Sequence, residues 1–89
     1  MKYEEKFRNF CIEVDKDCNW VLKVIDSCRT QRHFRNVRNL TNNFFSKWMN
    51  RIGRLEFAKE KYVFALYNHL ISIEMLAMKQ LNIKDYGEL

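Results

Sequence analysis

The chain reads as an all-α protein: a three-helix bundle, or a long helical hairpin with a third helix laid against it, self-associating through the part of the third helix that stays uncovered. Three observations carry the fold class. Proline is absent and glycine occurs only at positions 53 and 87, so the residues that build the tight turns of a β-rich domain are missing. Three long stretches repeat apolar residues every three or four positions, the period of one helix face. Hydrophobic residues make up 47% and aromatics 15% of the chain, which a disordered tail does not carry. With 89 residues there is room for a single helical domain over 1–89 with a thin core.

The first helix is expected from about residue 3 to 27. Phe7, Cys11, Val14, Cys18, Val21, Ile25 and Cys28 alternate spacings of four and three, a heptad seam, and Phe10 and Leu22 widen it. Asp15-Lys16-Asp17 is a weak point by helix propensity. The three cysteines are odd in number, and the start Lys2-Tyr3-Glu4-Glu5 has no apolar signal-peptide core. Both argue against a secreted disulfide scaffold and for free thiols in a reducing cytosol.

Ser27-Cys28-Arg29-Thr30 ends that helix. Thr30 suits an N-cap, and His33 stands at the capping-box position of the next helix. The second helix is expected over 30–52, with Phe34, Val37, Thr41, Phe44, Phe45, Trp48, Met49 and Ile52 on one face. Arg32, Arg35, Asn36, Asn39, Asn42, Asn43 and Asn50 lie broadly opposite, and Arg38 and Arg51 flank the apolar stripe. Gly53 is the expected residue after the helix end, where a left-handed backbone favours glycine.

The third helix is expected over 54–81 and is apolar nearly all round, with a polar strip only through Lys61, Asn68, Ser72 and Lys79. Such a helix is buried on more than one side. Either the first two helices wrap it, or the remainder is covered by a second copy or a partner. Tyr62, Leu66, Tyr67, Leu70, Ile73 and Met78 are the expected self-association residues, making the chain a homo-oligomer. Asn68, His69 and Glu74 break the apolar stretches of 62–78, so no membrane span is expected. Residues 82–89 are expected to form a short loose tail.

No constellation points to catalysis, a metal or a cofactor. The cysteines fall seven and ten residues apart on a helical seam, unlike the close ligand pairs of structural zinc sites, and they fit small buried hydrophobes. Cys28, beside Arg29 and near His33, is the best nucleophile available, yet it also fits packing under the turn. The acid pairs Glu4-Glu5, Asp15/Asp17 and Glu56/Glu60 fit solvated helix faces.

The charge is uneven. Net charge is +5, and residues 29–54 hold seven basic groups and no acid. Arg29, Arg32, Arg35, Arg38, Asn39, Asn42, Lys47, Arg51 and Arg54 are therefore the candidate residues for binding a partner protein or a nucleic acid. The plain alternative is a solvated face that also neutralises acidic strips on the other two helices. A helix-turn-helix fits poorly, because the second helix is too long.

At the junction, Val24-Ile25-Asp26-Ser27-Cys28-Arg29-Thr30-Gln31-Arg32-His33-Phe34 resembles a pattern in small uncharacterised helical proteins of tailed bacteriophages and mobile elements. In that pattern an apolar helix end is followed by Ser-Cys-x-Thr-x-x-Gln/His and a helix ending in an aromatic and basic stretch. Ser27, Cys28, Thr30 and His33 match it, and Phe44-Phe45-Ser46-Lys47-Trp48 resembles the end of the second helix. The match covers about residues 20–50. The resemblance implies a helical hairpin in a phage accessory protein and transfers no catalytic residue. Richness in Lys, Asn, Ile, Phe and Tyr fits an AT-rich genome.

The expected function is that of a small non-catalytic phage or mobile-element accessory protein. It would act in the cytoplasm of a bacterial host by binding a host protein, as an inhibitor of a defence or nuclease system such as an anti-CRISPR. The alternatives are a basic nucleic-acid-binding protein using the second helix, and a virion component.

Overall fold

A computed structural model of the chain describes residues 2–83. It contains α1 (Tyr3–Ser27), α2 (Gln31–Met49) and α3 (Phe57–Gln80). Each helix packs against the other two, in a body measuring 48 × 21 × 16 Å. The protein is an all-α three-helix bundle.

The core of α1 follows the heptad seam. Val14, Cys18, Val21, Ile25 and Cys28 are buried, together with Phe10, while Cys11 packs at the edge. The helix runs unbroken through Asp15-Lys16-Asp17, where propensity is low. Tertiary bonds offset the propensity. The Tyr62 hydroxyl donates to Asp15 Oδ1, and Lys47 Nζ and Trp48 Nε1 donate to Asp17 Oδ2 at 2.6 and 2.8 Å.

Three residues turn the chain from α1 into α2. Arg29 Nη1 donates to the carbonyls of Asp26 and Cys28, both at 2.7 Å, giving the negative end of α1 a cation. Thr30 Oγ1 accepts the His33 amide at 3.2 Å, as expected of the cap. The return bond differs from a capping box by one residue: His33 Nδ1 accepts the amide of Arg29 at 3.1 Å, rather than that of Thr30.

The second connection departs further from expectation. α2 ends at Met49 and α3 begins at Phe57, so the loop is longer than the sequence signals. Gly53 has no positive φ; Leu55 takes the left-handed position instead, at φ 64°. Gly53 serves close approach. Its amide donates to Glu56 Oε2 at 2.6 Å, and a Cβ there would stand 3.2 Å from that oxygen. Glu56 Oε1 also accepts Lys59 Nζ at 3.0 Å. The Lys59 ammonium and the Gly53 amide hold the Glu56 carboxyl below the usual carboxylate range.

Beyond α3, Asn82 is left-handed at φ 58°. The amide of Ile83 donates to the Met78 carbonyl at 2.8 Å and that of Asn82 to the Lys79 carbonyl at 3.1 Å. This is a Schellman motif with asparagine in place of glycine, and Ile83 packs on the core. The expected loose tail is therefore tied down at residues 82 and 83; the rest of it lies outside the described residues.

Candidate functional site

The polar residues of α2 divide into those turned inward and those turned outward. Arg38 Nε donates to Glu74 Oε1 at 2.7 Å, with side-chain exposures of 17% and 1%. Thr41 Oγ1 lies 2.7 Å from Glu74 Oε2 and 3.0 Å from the Val37 carbonyl. Its single proton serves the carboxylate at the shorter distance. A buried carboxylate on α3 thus meets a guanidinium and a hydroxyl from α2. Among the described residues, every buried side-chain nitrogen and oxygen has a hydrogen-bond partner.

This corrects the expectation for Arg38, which belongs to the interior of the bundle and not to a binding face. Its position beside the apolar stripe of α2 turns it towards α3, where Glu74 stands among buried neighbours.

Lys47 and Arg51 are also engaged within the chain, though at the surface. Lys47 pairs with Asp17 at 2.6 Å and lies 5.1 Å from the Trp48 ring centroid; Arg51 lies 4.9 Å from that centroid on α2's own C-terminal end. Asn42 Oδ1 accepts the Tyr67 hydroxyl at 2.9 Å, so it too helps join α2 to α3. Arg29 remains exposed while capping α1. Arg32, Arg35 and Asn39 are exposed on α2, and Arg54 is exposed in the loop.

The structure therefore does not gather the candidate residues into one patch. Arg29, Arg32 and Arg35 stand at one end of α2, and Lys47, Arg51 and Arg54 at the other. At 1.5 Å per residue, Arg35 and Lys47 are about 18 Å apart along the axis. Exposed Asn36, Asn39 and Asn43 lie between them.

Asp17 links α1 to this second group. Burial pushes its carboxyl up, but the bonds from Lys47 and Trp48 and the charges of Lys47 and Arg51 more than offset this and hold it below its ordinary value of 3.8. A carboxyl lowered in the folded state contributes stability above its unfolded pKa, and that contribution is lost as pH falls through the folded value. Asp17→Asn should therefore be less stable than the parent near neutral pH, with the gap closing between about pH 5 and pH 2. Thermal melts across that range check it; a gap unchanged at acid pH would remove Asp17 as a cause of acid sensitivity.

On α3 the expected self-association residues turn towards the bundle to different degrees. Leu70 and Met78 are buried in the bundle core at 0% and 3% exposure. Tyr62, Leu66 and Ile73 pack against that core, and Tyr67 leans on Phe45, with ring centroids 4.6 Å apart. The first two helices bury two of these six residues and leave the other four half-buried. Exposed instead are Phe57 at 59%, Phe64 at 53%, Met75 at 51% and Leu76 at 53%. Phe57, Phe64 and Ile71 recur every seven residues, which is the signal that could have located this outer line.

The cysteines behave as core residues. Cys18 and Cys28 are buried and Cys11 is half-buried. Cys28 Sγ donates to the Val24 carbonyl at 3.3 Å. Burial, then the Glu74 charge, pushes its thiol up against the lowering effect of Arg29. That is opposite to the setting of a reactive cysteine. Among the described residues, no group of three or more His, Cys, Asp and Glu is placed to hold a metal ion, and no helix is long and apolar enough to cross a membrane.

No family model, curated protein or solved structure matches this chain.

Proposed function

We propose that this chain is a small non-catalytic accessory protein that binds an acidic surface of another protein through the outward face of α2. The observation that carries the reading is the exposure of Arg32, Arg35, Asn36, Asn39 and Asn43 on a helix from a segment that contains no acid. Arg38 turns inward to Glu74, and Lys47, one turn beyond Asn43, pairs with Asp17.

Helix stability does not account for the arginines. Arg32 lies in the first turn of α2, which has no acidic residue, and the helix dipole is already positive there. An acid at such a site stabilises by about 0.3–1 kcal/mol, and a cation works in the opposite sense. The placement raises the positive potential that an acidic partner would meet, while the asparagine amides supply both donors and acceptors.

The resemblance across the α1–α2 junction supports a wider frame: a phage or mobile-element protein that acts on a host protein in the bacterial cytoplasm. Inhibition of a defence or nuclease system, an anti-CRISPR among them, is the form we favour. The exposed line on α3 supports a homo-oligomer as the acting unit.

A second reading is nucleic-acid binding, favoured by the pairing of arginine and asparagine on one helix face. One experiment separates the two. The chain is immobilised and exposed to nuclease-treated host extract beside Arg32→Glu/Arg35→Glu, while both forms are titrated with labelled duplex DNA and RNA. An acidic protein retained by the parent and lost with the variant supports the first reading. Nucleic-acid binding that falls steeply with salt and is lost with the variant replaces it by the second. Equal retention by both forms rejects the face altogether.

A further inference from the structure

We propose that two copies of this chain pair in parallel and in register through the outer face of α3, along a seam of Phe57, Lys61, Phe64, Asn68, Ile71 and Met75. This deepens the homo-oligomer in the reading above and rests on it.

The spacing of these six residues is four, three, four, three, four, the alternation of a heptad seam. Phe57, Phe64 and Met75 are more than half exposed, Lys61 and Asn68 are exposed, and Ile71 is half-buried. α1 and α2 pack chiefly on a different arc of α3, through Val63, Leu70, Glu74 and Met78, and α2 touches the seam through Phe45, whose ring meets Phe64 edge-on with centroids 6.1 Å apart. Phe64 still keeps 53% of its surface exposed, so α3 has a second face suited to helix packing that its own chain leaves largely open. The line extends over about 27 Å from Phe57 to Met75 at 1.5 Å per residue.

The two polar positions of the seam select the occupant and its direction. In heptad terms Phe57, Phe64 and Ile71 are d residues, and Lys61, Asn68 and Met75 are a residues. In a parallel pair in register, each a residue meets its own counterpart. Asn68 would then face Asn68 of the second copy, and an amide, with donors and an acceptor, is complementary to itself. A single asparagine at such a position specifies register and orientation at a cost in stability. Lys61 would meet Lys61, but Glu60 stands at the edge of the seam, beside the lysine of the second copy, and supplies the opposing charge.

The antiparallel arrangement satisfies neither group. Alignment of Phe57 with Met75 would set Asn68 against Phe64 and Lys61 against Ile71. An amide and an ammonium would then be pressed against apolar side chains, which costs free energy. A foreign helix would have to supply a matching amide and acid, whereas a second copy already carries both.

The test uses the full chain. Sedimentation equilibrium should show a monomer of 10.9 kDa passing to a dimer as concentration rises. Phe64→Asp, at an exposed position, should weaken association by at least about a hundredfold, the size expected for a central apolar contact, without changing helix content by circular dichroism. Lys61→Cys should form a 61–61 disulfide under mild oxidation. In the antiparallel pair the two positions would lie about 15 Å apart along the axis, beyond disulfide reach. The parent chain, whose own cysteines are buried or half-buried, provides the background. A monomer at every concentration overturns both the homo-oligomer and this pairing. Association that Phe64→Asp leaves unchanged, or that gives no 61–61 disulfide, overturns this pairing alone.

Discussion

Arg38→Met should lower the unfolding free energy by about 3–5 kcal/mol, the cost of leaving one member of a buried ion pair without the other. Glu74 is 1% exposed, and Arg38 and Thr41 stand within hydrogen-bond distance of its carboxylate. Loss of the guanidinium leaves the charge facing a single hydroxyl in the α2–α3 interface. Glu74→Met should cost less, because Arg38 retains 17% side-chain exposure and a long side chain can carry its head to water. Thr41 would then fall back on the Val37 carbonyl, 3.0 Å away. The double variant should recover most of the loss, since apolar replacement of both partners is often neutral or stabilising. Urea denaturation of the three variants forms a double-mutant cycle. Equal losses for the two single variants would contradict the asymmetry, and additive losses in the double would contradict the pairing.

That ion pair also marks where the sequence stops being legible. The inner face of α1 could be read directly, because only one heptad line of apolar residues runs through it, ending at Cys28. The Thr30 cap could be read for the same reason: its bond is local. Arg38 could not be placed, because its direction depends on the rotation of α2 against α3. One helix's periodicity does not encode that rotation. Glu74 was more misleading still. Its charge breaks the apolar stretch of α3, yet it lies on the buried face. A helix apolar nearly all round offers no contrast by which to find the inside, so its sequence does not show that Leu70 and Met78 belong there.

The second loop failed for a different reason. Gly53 matches the signal for a left-handed helix terminus, but its φ is not positive, and its amide instead donates to Glu56, whose carboxylate a Cβ there would crowd. Leu55 and Asn82 take the left-handed positions. Asparagine tolerates that conformation better than leucine does, so only the second of these could be anticipated from residue type.

Trp48→Ala should produce the other large loss, about 3–5 kcal/mol, typical for truncating a buried aromatic. Trp48 is 3% exposed and meets Phe10 of α1 edge-on, with ring centroids 5.6 Å apart. Its indole N–H reaches Asp17 at 2.8 Å, and Arg51 lies over its ring. One side chain thus joins α1 to α2 by packing and by a hydrogen bond. Trp48→Phe separates the two contributions. The ring contact largely persists, and the lost hydrogen bond should cost about 1 kcal/mol, because Lys47 still serves the Asp17 carboxylate. Small domains hold only about 5–15 kcal/mol in total, so the alanine variant should stand at the margin of folding while the phenylalanine variant remains cooperative. Chemical denaturation followed by circular dichroism measures both, and avoids dependence on tryptophan emission, to which exposed Trp20 also contributes. Equal losses for the two variants would mean that the bond to Asp17, and not the aromatic packing, holds α1 against α2.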